Sequence, residues 1–579
     1  MKTLRTLAFL LAAACWTAAT AQFTLDGRRP VLDSLSGTWL CSVPKALFGS
    51  DAKMAFRLDE GSAWTDVAID GIPVANGDSV AFDAIAGGKT YTVTAHDNDS
   101  TITASITFTY HPILELRGDF GYDYTIGHVI CHLPDQEGAD DMLAKLKWRG
   151  ATTNTDGKHK RNYHIKFVEA DSVTKQDRSF FGLRSDNSWI LDAGQVDMSR
   201  LRNRIATEIW NDFATKPYYA DREPDALSGV RGDVVEIVLN GKYNGFYCLT
   251  EAMDRKQLKL KKYNEDDQVF RGMLWKAVIV DEYTRMRRST FYPTSNNNES
   301  WGGYEVKYPD FDDVAPTDYS TLHDAVDFVA NSTNEEFDSL VGEYFDLPVL
   351  IDYWILINAL HAVDNGIKNI YWACYNQLQD KKITLAVWDL DCTVGQNWTN
   401  YPFRNPNTVG PTVSMNTFSR LYARLTDRNS QNFSMRAVER YRQLRETVLN
   451  TDSLVQRYTD RLQGIINSGA AARETARWSK DTDIQRQRLD FEDEINYIAN
   501  WIPEHMTFLD NKRFRPYVRG DINRDGVVDI GDLDTLIGAI FRPDDYPLWY
   551  EDLSPNGLYD VADINVLVNI ILGFDTQPF

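Results

Sequence analysis

The chain has 579 residues, several times the usual domain size, so three or more folding units are expected rather than one large core. With 43% hydrophobic, 25% charged and 12% aromatic residues it has the composition of ordinary globular protein, which excludes disorder over most of its length. The formal net charge of -22 argues against a nucleic-acid partner, because phosphate binding needs a concentrated basic face.

The first residues, MKTLRTLAFLLAAACWTAATAQ, set Lys2 and Arg5 ahead of an apolar run and close on Ala19-Thr20-Ala21. That is the pattern of a secretory signal peptide over 1–21, cleaved before Gln22, and it predicts a secreted or cell-surface protein. A lipoprotein box at Ala13-Ala14-Cys15 is the weaker alternative, since Ala12 stands where Leu is usual. No other stretch has the roughly eighteen uninterrupted apolar residues of a membrane span. Five cysteines follow the leader (Cys41, Cys131, Cys248, Cys374 and Cys392), scattered without CxxC spacing, so cores rather than disulfides or zinc are expected to supply stability.

Over 22–112 short alternating segments such as Lys53–Leu58, Lys89–Thr94 and Thr103–Phe108 are punctuated by turn residues, predicting an immunoglobulin-like β-sandwich. Gly87-Gly88-Lys89-Thr90 resembles part of a phosphate loop, but Asp83 stands where the first glycine is needed and a strand follows, so it reads as a hairpin turn. From 113 to 515 the pattern becomes α+β. Strands are expected around Tyr163–Val168 and Val234–Leu239, a helix over Met198–Phe213, and amphipathic helices through Arg436–Leu449, Ser453–Ile466 and Gln485–Trp501 form a helical C-terminal lobe.

Within this region His361-Ala-Val-Asp364-Asn-Gly-Ile-Lys-Asn369 carries an Asp followed five positions later by an Asn. Protein kinases use that spacing in the catalytic loop, where the Asp accepts the substrate hydroxyl proton and the Asn holds magnesium. A predicted strand, Ile383–Trp388, then runs into Asp389-Leu390-Asp391-Cys-Thr-Val-Gly395, where either Asp389 or Asp391 would serve as the metal-binding carboxylate. On spacing alone, turn and cap roles account for these residues equally well.

The last segment, 516–579, places Asp521, Asn523, Asp525, Val527, Asp529 and Asp532 at positions 1, 3, 5, 7, 9 and 12 of a calcium loop with Gly526 at 6. Asp552, Ser554, Asn556, Leu558, Asp560 and Asp563 repeat the pattern around Gly557. Each loop is followed by one apolar helix, Leu533–Phe541 and Ile564–Leu572, with no entering helix before it. This duplication resembles a dockerin, an α-helical module whose two calcium ions organise a surface for a cohesin-bearing partner. The resemblance puts partner-reading positions at Ile530, Gly531, Val561 and Ala562.

Leu146-Lys-Trp-Arg-Gly150, Lys160-Arg-Asn-Tyr-His-Ile-Lys-Phe167, Leu201-Arg-Asn203, Leu239-Asn-Gly-Lys-Tyr-Asn-Gly-Phe-Tyr247, Leu249-Thr-Glu251 and Trp388-Asp-Leu-Asp391 resemble successive blocks of the bacterial spore-coat CotH family, in that family's order. The resemblance implies an atypical protein kinase fold that binds ATP with Mg2+ or Mn2+ and phosphorylates Ser or Thr of a protein. It further implies that Lys160 contacts phosphate and pairs with Glu251, that Lys166 is the rival lysine, and that Arg149 also reaches phosphate. Asp364 is then the base, and Asn369 with Asp389 or Asp391 holds the metal. The chain departs from the family at Arg161, where Lys is usual, and at Val394, where Phe is frequent. Two other readings stand beside this one: a non-catalytic scaffold or adhesin, and an accessory subunit of an extracellular polysaccharide-degrading complex.

Overall fold

Alternation decides the first region: Ala52–Leu58 buries every second side chain, and Thr90–Asp97 does the same. The computed structural model describes residues 21–97, 100–154, 159–289, 299–311, 317–396, 419–479, 489–542, 552–555 and 558–575. The expected leader and lipoprotein box therefore lie outside the described residues, apart from Ala21. Between Phe23 and Thr109 a three-stranded and a six-stranded sheet share one core, centred on Phe23, Trp39, Phe56 and Trp64. Gly87-Gly88 is a turn, with Gly88 at φ +81° and the Lys89 amide donating to the Ala86 carbonyl.

The next segment closes on itself. Strands β1 (Ile113–Arg117), β2 (Thr125–His132), β3 (Asp140–Arg149), β4 (Asn162–Phe167), β5 (Ser188–Asp192), β6 (Gly232–Leu239) and β7 (Lys242–Glu251) form a barrel in the order β1-β2-β3-β4-β5-β7-β6, and β6 pairs parallel with β1. Inward positions such as Leu116, Val129, Leu146, Ile165, Trp189, Val235 and Leu249 fill it. Helix α1 (Arg202–Phe213) starts four residues later than the periodicity predicts. Arg200 adopts a left-handed backbone at φ 63°, and the Asp197 carboxylate takes the Arg202 amide, so Asp197–Leu201 is a buried capping loop.

A second sheet orders β8 (Met273–Ala277), β9 (Ser300–Trp301), β10 (Tyr304–Tyr308), β11 (Ile370–Cys374) and β12 (Ile383–Val387) as β9-β10-β8-β11-β12. Helix α2 (Leu347–Ala359) is buried nearly all round, as expected of a helix apolar on every face. Later helices include Phe433–Arg445, Thr451–Asn467, α3 (Ala470–Trp478) and Phe491–Phe508, so the C-terminal part is helical as read. Helices α4 (Ile530–Phe541) and α5 (Val561–Ile571) end the described chain and share a small core around Leu536 and Leu567.

By contacts the chain forms two units from interleaved segments. One comprises residues to Arg204, Arg231–Ala252 and Arg457–Tyr497; the other comprises Ile205–Val230, Met253–Gln456 and Ile498–Phe579. All five described cysteines are buried, and none forms a disulfide with another described residue. Among the described residues no helix is long and apolar enough to cross a membrane.

Candidate functional site

In the first unit, Lys160 precedes β4 and its side chain is fully buried. Its ammonium donates to the Phe246 carbonyl and to Glu474 Oε1 on α3, both at 2.8 Å, and lies 4.7 Å from the Tyr247 ring centre. Arg200 Nε donates to the same carboxylate at 2.9 Å, and the Phe246 amide reaches it at 3.2 Å. Burial pushes the Lys160 ammonium down to about 8, with Glu474 pulling the other way. Gly245 makes this approach feasible: it sits at φ +100°, and a Cβ there would collide with the Glu474 carboxylate. Gly245→Ala should therefore cost about 2–4 kcal/mol, read by denaturant unfolding, from backbone strain plus overpacking.

The expected Lys160–Glu251 pair is not formed. Glu251 accepts from Arg231 Nη2 at 2.7 Å and from the Arg231 and Arg184 amides at 3.0 and 3.2 Å. Burial raises the Glu251 carboxyl, but these bonds outweigh it and hold the group below its usual value. The reason is strand geometry. Lys160 is fixed at Phe246, and Glu251 lies five residues further along β7, ~16 Å away at the rise of an extended strand.

Lys166 is placed differently again. It lies opposite Lys145 and Ser188 on the outer face of the barrel, 4.8 Å from the Tyr124 ring centre. Arg149 ends β3 on that same face, opposite Asn162.

The second unit brings together the residues expected to form a catalytic loop. Asp364 Oδ2 accepts from Asn369 Nδ2 and from Lys368 Nζ, each at 2.9 Å. Asn369 takes a left-handed backbone, φ 60°, and its amide is tied to the Ala277 carbonyl as β11 begins. Three bonds lock this loop to the segment after β12: Val363 N to Cys392 O, Asn365 Nδ2 to Trp388 O, and Val394 N to Leu360 O. Asp389, at φ 60°, and Asp391 are part-exposed on either side of the buried Leu390. The Cys392 thiol is raised well above its usual value, by burial first and then by Asp391, Asp364 and Asp389.

Among the described residues no group of three or more His, Cys, Asp or Glu is disposed to hold a metal ion by itself. A magnesium site of the kinase kind needs less, because one or two protein ligands suffice when phosphate oxygens supply others. The donor set of Asn369 with Asp389 or Asp391 fits that requirement.

At the C-terminus the two halves repeat their contacts. The Asp532 carboxylate takes the amides of Asn523 and Asp529, and Asp563 takes those of Ser554 and Asp560. Asp529 and Asp560 cap α4 and α5 in matching capping boxes. Asp521 is buried; its Oδ2 is held by Arg515 and the Gly526 amide, while its Oδ1 has no hydrogen-bond partner among the described residues. A buried, half-satisfied carboxylate fits a hard cation. Asn556 and Gly557 lie outside the described residues.

A family model described as CotH kinase protein matches residues 146–509, more than half of the chain. The chain belongs to the CotH kinase family. A search of curated proteins gives no match. The CotH match spans Lys160, Glu251, Asp364, Asn369 and Asp389, and it also takes in α3 with Glu474. Glu474 and Arg200 were not found from sequence: Glu474 lies 314 residues from Lys160, on a charged helix where nothing distinguishes it from its neighbours.

Proposed function

We propose that the protein transfers the γ-phosphoryl group of ATP to Ser or Thr of a protein, using Mg2+ or Mn2+. The observation that carries this is the Asp364–Asn369 pair, hydrogen-bonded at 2.9 Å and tied to the Asp389–Asp391 segment within a CotH kinase domain. Asp364 accepts the substrate hydroxyl proton and orients its oxygen for attack. Asn369 with Asp389 or Asp391 holds the cation, which neutralises charge on the phosphates. Asp389 is the favoured ligand of the two because its strained backbone is the kind of cost found at functional positions. Of the lysines that the resemblance offers as the phosphate contact, Lys160 is sealed from solvent by Glu474 and Phe246, which leaves Lys166.

That sealed lysine equally favours the second reading, a scaffold or adhesin in which the kinase fold no longer turns over. The deciding assay incubates the full chain with labelled ATP and Mg2+ or Mn2+. Incorporation of label into the protein or an added substrate supports the enzyme; none with either metal supports the scaffold.

The C-terminal segment is proposed as a dockerin binding two calcium ions and a cohesin-bearing partner, on a protein exported through its leader. The duplicated loops and the half-satisfied Asp521 support it. Calcium should protect residues 516–579 of the full chain from proteolysis, and chelator should reverse this, because the metal binds the folded loops only. Equal cleavage in calcium and chelator would remove the dockerin reading.

A further inference from the structure

Within the first unit a cleft opens that the phosphoryl-transfer reading does not use. The Tyr110–Pro112 link between sandwich and barrel lines it, together with the turn after β2, the start of β6 and one face of the helix Thr451–Asn467. Its volume is about 670 Å³, inside the range of roughly 300–1,000 Å³ that small-molecule sites occupy. The link is held from both sides. The Tyr110 hydroxyl donates to the Gly464 carbonyl, and the Ser42 hydroxyl donates to the His111 carbonyl at 2.8 Å.

The wall mixes apolar surface from Pro112, Pro134, Phe181 and Ile465 with charges of both signs. Asp233 and Arg461 face each other at 3.5 Å, and Asp460 precedes Arg461 on the helix. The Lys45 ammonium lies 5.3 Å from the Tyr110 ring centre. Burial pushes the His111 imidazole down to about 4, against the pull of Glu236 and Asp233, so the ring is neutral and both donates and accepts. Its Nε2 has no hydrogen-bond partner among the described residues. A buried polar atom left so calls for an explanation, and a ring that turns to meet a hydroxyl in the cleft supplies one.

These features select among occupants. The carboxylates of Asp233 and Asp460 disfavour an anion, and Lys45 and Arg461 disfavour a cation. A wholly apolar molecule would cover the polar groups without pairing them. A peptide could not add here as a strand of the barrel, because both edges of β6 are taken, by β1 and β7.

We infer that the cleft binds a neutral sugar, as a single residue or the end of an oligosaccharide. A pyranose ring sets an apolar C–H face against the proline and phenylalanine surface and offers hydroxyls that donate to Asp233 and Asp460 and accept from Arg461 and Lys45. A carboxylate has about four acceptor sites and a guanidinium about five donors, so these groups keep their contacts within the protein while a hydroxyl joins them. The inference is independent of the kinase reading and holds for an enzyme or a scaffold.

The test titrates the full chain by calorimetry with glucose, xylose, mannose and galactose and their disaccharides, beside glucuronic acid and glucosamine as charged relatives. Gly464→Leu is the blocking variant, because Gly464 lines the cleft and a Cβ there meets nothing nearer than the Tyr110 hydroxyl oxygen, at 3.7 Å. Arg461→Ala removes donors from a side chain that is 40% exposed, so the fold should survive. Circular dichroism checks both variants. The expected result is that at least one neutral sugar binds, that Gly464→Leu abolishes binding, and that Arg461→Ala weakens it by about tenfold, as for lost hydrogen bonds to a charged group. No binding of any neutral sugar by the wild type would overturn the inference. So would binding that either folded variant leaves unchanged, or tighter binding of a charged relative than of every neutral sugar. If Gly464→Leu does not fold, Arg461→Ala decides alone.

Discussion

Asp364→Asn is expected to lower phosphoryl transfer by about 10²–10⁴-fold while leaving nucleotide affinity close to wild type. Asparagine keeps the size of the side chain and an oxygen that still accepts from Asn369 Nδ2, so the loop should hold its shape. What is lost is the charge that draws the proton from the substrate hydroxyl, together with the Lys368 ion pair. Lys368 is a third exposed, so that pair contributes little to stability. Turnover and binding should therefore separate. Asp389→Asn and Asp391→Asn should be unequal, with the true metal ligand losing metal-dependent nucleotide binding as well as turnover. If wild type transfers no phosphate with either metal, and Asp364→Asn leaves stability and partner binding unchanged, the catalytic reading fails.

The second large effect is on folding. Glu474→Ala removes the one carboxylate that, among the described residues, lies within salt-bridge distance of Lys160 and takes from Arg200 its Nε acceptor, leaving two buried cations facing each other. Removing one partner of a buried ion pair typically costs about 3–5 kcal/mol, and the shared partner puts this case at the upper end. Denaturant unfolding measures the loss directly. The paired variant Lys160→Met with Glu474→Gln should recover most of it, because methionine carries no charge into the barrel wall and glutamine still accepts from Arg200. If that double variant folds and also transfers phosphate, Lys160 acts by holding α3. If it folds but no longer binds ATP, the lysine is a phosphate contact after all and the assignment to Lys166 is wrong.

Local pattern made the strands and the meeting of Asp364 with Asn369 legible. Period-two alternation located Asn162–Phe167, a strand-like run at Val234–Leu239 located most of Gly232–Leu239, and the five-residue spacing located an Asp and an Asn that do meet. The capping residues of α4 and α5 were present as loop positions 9 and 12. What sequence could not supply was long-range pairing. That seven strands close into a barrel depends on the parallel contact of β1 with β6, more than a hundred residues apart, which no local period encodes. The Lys160 partner was misassigned for a related reason. Glu251 and Glu474 are both acidic residues far from Lys160 in sequence, and only the position of Phe246 along β7 decides between them. The start of α1 was misplaced because Met198–Leu201 fits the helical period, whereas the Asp197 cap and the left-handed Arg200 end that option.

The interleaving of the two units bears on how the chain is made. The barrel is complete only when Glu251 has emerged, yet its buried Lys160 and Arg200 wait for Glu474 on α3, more than two hundred residues later. During synthesis from the N-terminus, the first unit must remain an unfinished fold with two uncompensated cations while most of the second unit is produced. A fragment cut after the barrel would inherit that defect permanently, so expression boundaries placed anywhere before Trp478 should give aggregating or protease-sensitive material, however well the strands themselves are formed.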